Sequence, residues 1–123
     1  MPYSLITTDK QDYLLFITNG SIQSADEFWD FLKDVATQGI EKKYNRLLFD
    51  HRTLYLQITQ YDALMCVEKL LNVGIPIQGF RTAMITSKNS LEVGKFVETA
   101  LTNRSVTYKR FETRKDALDW LLV

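Results

Sequence analysis

A chain of 123 residues is about the size of one ordinary domain and can bury a single core. Its 15 basic side chains balance 15 acidic ones, and 46% apolar with 24% charged residues excludes a disordered tail and gives no electrostatic reason to expect nucleic acid. The apolar runs are too short for a membrane span, MPYSLITTDK has no leader-like basic or apolar region, and Cys66, the only cysteine, has no CxxC or Cys/His spacing around it. A cytoplasmic protein without disulfide, metal, cofactor or membrane insertion is therefore expected.

Residues 3–8 (YSLITT) and 13–18 (YLLFIT) are rich in aromatic and β-branched side chains and read as a hairpin, with Asn19-Gly20 closing its second strand. From Ser24 the period changes: Phe28, Phe31, Leu32 and Val35 recur at helical spacing, Ser24 with Glu27 fits a capping box, and Gly39 is expected to end the helix. Residues 46–50 (RLLFD) form a compact strand-length run. Thr59 then precedes a helix over 60–73, whose apolar face is Ala63, Leu64, Val67, Leu70 and Leu71 and whose stop is Gly74.

Beyond the loop GIPIQGF comes a strand at 81–86, a helix opened by Asn89 and Glu92, a strand at 106–111, and a last helix capped by Thr113. The order ββαβαβαβα implies a single domain over residues 1–123. Its fold class is α/β, with right-handed crossovers and a mixed five-stranded sheet that has an antiparallel N-terminal edge. Leu14, Leu15, Phe16 and Ile17 are apolar on both faces of one strand, so a second apolar surface needs cover, and a homodimer would provide it.

Three stretches carry a family resemblance. They are ITNG before a capped helix, RLLFDHR as an apolar strand ending in an acid and a base, and the closing YKRFETRKDALDWLL. In these the chain resembles STAS-type domains, which include the anti-sigma-factor antagonists, and most closely the small stand-alone bacterial SpoIIAA-like proteins. The resemblance implies a (βα) superhelix with four main helices and a regulatory role exercised by binding. In the antagonists a partner kinase phosphorylates a serine at the start of the helix after the third strand; the counterpart here is Thr59, within QITQYD rather than a Ser- and Gly-containing turn.

The candidate site lies where strands of an α/β sheet end at their carboxyl edge. Asp50, His51 and Arg52 follow one strand, and Ser87 follows another. Two readings of His51 compete, a solvated side chain or the acid/base of a small α/β enzyme, and alternation along an extended chain sets it apart from Asp50. Leu54, Tyr55 and Leu56 are large apolar residues in what should be a connector, so they either fold onto the core or, with Arg52 and Thr59, wall a binding site. The expected occupant is a protein partner or a small apolar or anionic ligand, and Thr59 doubles as helix cap and possible phosphorylation site.

Overall fold

A computed structural model describes residues 3–86 and 88–123; Ser87 and the side chain of Asn89 lie outside what is described. The elements run β1 (Tyr3–Asp9), β2 (Leu14–Ile22), α1 (Ala25–Glu41), β3 (Arg46–Leu56), α2 (Gln60–Asn72), β4 (Arg81–Ile85), α3 (Leu91–Thr102), β5 (Thr107–Phe111) and α4 (Arg114–Leu121). The five strands lie in sequential order, with β1 antiparallel to β2 and every other neighbouring pair parallel. The mixed sheet with an antiparallel edge and four helices is thus the architecture that the alternation of periods implied.

Cap chemistry fixes three helix starts. Ser24 Oγ accepts from the Glu27 amide at 3.2 Å, Thr59 Oγ1 from the Asp62 amide at 3.0 Å, and Thr113 Oγ1 from the Asp116 amide at 3.2 Å. Other boundaries differ from the sequence reading. Gly39 does not stop α1, which runs on to Glu41; the left-handed residue is Lys43, at φ 62°. The glycine serves packing instead, since a Cβ there would sit 3.0 Å from the Phe80 ring. Asn19-Gly20 does not close β2, which continues to Ile22. A 3₁₀ turn over Lys88–Ser90 precedes α3, and Ser90 occupies the N-cap position without making a side-chain cap bond.

Alternation along the strands divides the interior in two. Leu14, Phe16, Leu47, Phe49 and Met84 pack with α1, α2 and α3 into the main core. Leu15, Leu48, Ala83 and Ile85 point the other way and are sealed by Ala117 and Leu121 of α4. The second apolar face for which a homodimer was expected is therefore covered within the chain. Two arginines hold α4 down: Arg114 at its start reaches Asp50 at 3.1 Å, and Arg81 donates to the Trp120 carbonyl at 2.8 Å while lying 3.8 Å over the indole.

Because Leu121 is fully buried whereas Leu122 beside it is 39% exposed, the two leucines separate packing from mere proximity to the chain end. Leu121→Ala should cost about 2–5 kcal/mol and Leu122→Ala less than about 0.5 kcal/mol. Urea midpoints of the two variants check this; equal midpoints would mean that α4 does not carry the second core.

Candidate functional site

The geometry of the site starts from one irregularity in β3. Ile17 is paired with Asp50, yet the next pair is Asn19 with Thr53, so Thr18 on β2 faces both His51 and Arg52. The extra residue is a bulge, and it reverses which positions face inward. Before it, Leu47, Phe49 and His51 face the main core; after it, Leu54 and Leu56 do. The segment expected as a connector is thus a strand for six more residues, held by β2 as far as Ile22. Leu54 and Leu56 are buried, while Tyr55 is 44% exposed on the opposite side.

Asp50 points toward α4 and is almost enclosed. One carboxylate oxygen accepts from Arg52 Nε at 3.0 Å and from the Arg52 amide at 3.2 Å, and the other from Nη2 of Arg52 at 2.7 Å and of Arg114 at 3.1 Å. Burial works against its charge, but the bonds from Arg52 and then Arg114 outweigh burial and hold its carboxyl below the ordinary carboxylate value. Arg52, expected in the wall of a binding site, spends its planar fork on Asp50 and raises its own affinity for the proton in doing so. Through Arg114, Asp50 ties the middle of β3 to the start of α4.

His51 faces away from Asp50, its ring 5.5 Å from that of Phe31 and 5.6 Å from that of Phe49. Its Nε2 is closed to solvent and has no hydrogen-bond partner. Burial, opposed only in part by the charge of Asp50, brings its pKa down to about 4, so the ring is neutral at pH 7. No Asp50–His51 hydrogen bond orients the imidazole, and the acid–base pair that an enzyme using His51 would need is not assembled.

At the far end of β3, the Leu56 amide donates to Ser90 Oγ at 2.7 Å, and the same hydroxyl donates to the Leu54 carbonyl at 3.4 Å. β4 ends at Ile85, opposite Asp50, so Ser90 satisfies part of a strand edge that has outrun its neighbour. Gln57 closes the other side, its amide donating to the Ile22 carbonyl at 2.8 Å. Thr59 is exposed, and its hydroxyl is engaged as the cap of α2. Tyr61 and Met65, one turn apart on α2, are 69% and 46% exposed. Cys66 is buried with its Sγ 3.5 Å from the Ala25 carbonyl, and burial pushes its thiol up, away from reactivity. Among the described residues no cluster of His, Cys, Asp and Glu is grouped to hold a metal.

Of the predicted site residues, Asp50 and Arg52 come together, His51 and Leu56 turn inward, Tyr55 and Thr59 stay at the surface, and Ser87 lies outside the described residues. Sequence reasoning missed Arg114 and Ser90. Nothing local connects Arg114 to Asp50, 64 positions away, and Ser90 carries only a generic capping signal.

No protein-family model matches the chain, and no curated protein does. Solved structures do. A Shewanella loihica PV-4 protein of the DUF3478 family, described as having a SpoIIAA-like fold, superposes with TM-score 0.53 at 22% identity, covering 97% of this chain and 93% of its own. An anti-sigma factor antagonist from Mycobacterium paratuberculosis superposes with TM-score 0.58 at 14% identity, with the same coverage of 97% and 93%. The fold is SpoIIAA-like, as the resemblance implied.

Two measurements check this geometry. Thr59→Ala removes the acceptor for the Asp62 amide and should cost about 1 kcal/mol; coincident urea midpoints would refute the cap. The depressed pKa of His51 makes the unfolded chain take up a proton first as pH falls from 6.5 to about 4. Stability should be full above that window and decline through it by up to about 3 kcal/mol. His51→Phe should flatten the decline between pH 6.5 and 5, above the range where carboxylates titrate, and an unchanged slope would mean that the imidazole is not buried.

Proposed function

We propose that this domain is a regulatory binding module that engages a protein partner at the carboxyl edge of its sheet, over the surface running from the end of β3 into α2. The observation that carries the reading is the outward placement of Tyr55, Tyr61 and Met65, at 44%, 69% and 46% exposure, on either side of the Thr59 cap. Tyrosine is a favoured interface anchor because it offers a large contact area with a polar tip and few torsions to freeze. Strands that outrun their neighbours bring such side chains clear of the helices. The likeness in fold to an anti-sigma factor antagonist supports a partner that is itself a protein.

Within this reading Leu56 belongs to the floor rather than the contact surface, and Arg52 contributes the half of its side chain left outside its pair with Asp50. Thr59 sits in the middle of the surface. A phosphate there would place a charge of about −2 beside Tyr61, where the start of α2 tolerates it electrostatically and a docked partner would have to accommodate it.

A photo-crosslinking residue placed at position 55, and separately at 61, tests the surface in cells that make the protein. The same discrete protein adduct should form from both positions and not from position 115, an exposed lysine on α4. No adduct at 55 and 61, or the same adduct at 115, would refute the proposed surface.

A further inference from the structure

The two edges of the sheet are finished differently. β5 spans five residues, carries Lys109 and Arg110, and has its Arg110 amide taken up by the Glu98 carboxylate of α3 at 2.5 Å. β1 is longer, at seven residues, and Tyr3 to Thr8 hold neither a charge nor a proline. Exposed edge strands are ordinarily blunted by such residues, because a row of free amides and carbonyls is a template for another strand. The unblunted edge is β1.

The hairpin turn shows which backbone groups of β1 are free. The Lys10 amide donates to the Tyr13 carbonyl at 3.0 Å, next to the Asp9–Leu14 pair, and along an antiparallel ladder bonded and non-bonded pairs alternate. Thr8, Ile6 and Ser4 therefore direct their amides and carbonyls to β2, whereas Thr7 and Leu5 direct theirs outward. Side chains follow their own alternation: Tyr3 and Leu5 pack on the main core, while Ile6, opposite Ile17, turns to the other face and is 54% exposed.

From these observations we infer that β1 pairs antiparallel with β1 of a second copy of this chain, about a two-fold axis at Ile6, joining two five-stranded sheets into one. Leu5 of each copy then faces Thr7 of the other, and these two pairs exchange about four hydrogen bonds. Ile6 meets Ile6 in the closer, non-bonded pair between them, which covers the exposed side chain with its own kind. Asp9 falls opposite Tyr3, so no like charges meet. The same operation at the other edge would set Lys109 and Arg110 against their own copies and displace the Glu98 carboxylate. Each copy has one unblunted edge, so assembly closes at two. The interface is this edge rather than the apolar face beneath α4, and it uses neither β3 nor α2, so it does not rest on the surface around Tyr55 and Tyr61.

Sedimentation equilibrium of the intact chain tests it, with the wild type expected to reach a dimer and nothing larger between about 10 µM and 1 mM, the range that so small an interface allows. Ile6→Lys sets like charges opposite each other and should weaken association by about ten-fold or more while leaving the far-UV circular dichroism spectrum unchanged. Cysteine cross-linking reads the register. Under oxidation Ile6→Cys should give a covalent dimer, and Thr8→Cys, which would face Ser4 of the second copy, should not; the buried Cys66 is common to both. The cross-linking result stands by itself if Ile6→Lys does not fold. The inference is overturned by a wild type that stays monomeric at the top of that range, by species beyond the dimer, by association that Ile6→Lys leaves unchanged, or by Thr8→Cys cross-linking as readily as Ile6→Cys.

Discussion

The bulge at His51 and Arg52 decides which side chains of the second half of β3 face the core and which face outward. A strand has two faces, and one extra residue exchanges them. Up to it, plain alternation sends Asp50 toward Arg114 of α4 and His51 into the core beside Phe31 and Phe49; past it, Leu54 and Leu56 return to the core while Tyr55 emerges. Without it, continued alternation would bury Thr53 and Tyr55 and expose Leu54 and Leu56. The cost of the irregularity shows in the two side chains flanking it: Thr18 Oγ1 and His51 Nε2 are both buried without partners.

Such orphaned groups are tolerated because the surroundings over-determine the geometry. On one side, Phe28 and Phe31 of α1 form a continuous aromatic layer with Phe16 and Phe49 of the sheet. On the other, the carboxylate of Asp50 holds two guanidinium groups, one from its own strand and one from α4. Replacing that carboxylate would leave Arg52 and Arg114 facing each other with no anion between them, and the start of α4 would lose its anchor. The ion cluster is therefore a structural tie at the sheet edge, where an α/β fold otherwise places its ligands.

Much of the fold is legible from local chemistry. Ser24, Thr59 and Thr113 each announce a helix through a bond made within four residues, and Gly74 closes α2 with φ 81°, as its position suggested. What was not legible depends on residues far apart. Gly39 looks like a helix stop, but it is set by the approach of Phe80, 41 positions later. The run HRTLYL looks like a connector because the bulge breaks its alternation and its polar half resembles a turn; only the pairing with β2 makes it a strand. The site followed the same pattern. Thr59 as a cap was readable, whereas the opposite facing of Asp50 and His51 was readable only in outline, and the roles of Arg114 and Ser90 were not readable at all.

β3 extends six residues beyond the end of β4, and that overhang links the interior to the surface. Its backbone beyond Asp50 lacks a neighbouring strand on the β4 side, and Ser90 takes up the Leu56 amide and the Leu54 carbonyl there. Along this overhang successive side chains alternate between the core and the exterior, so Leu56 is buried while Tyr55, one residue earlier, stands outside. Rigid strands transmit displacement because neither neighbour can shift without carrying the other. A change in the core that moves Leu56 must therefore be felt at Tyr55, or be absorbed where Ser90 holds the strand. The buried side chain of Leu56 and the exposed ring of Tyr55 thus share one short piece of backbone, on its two faces.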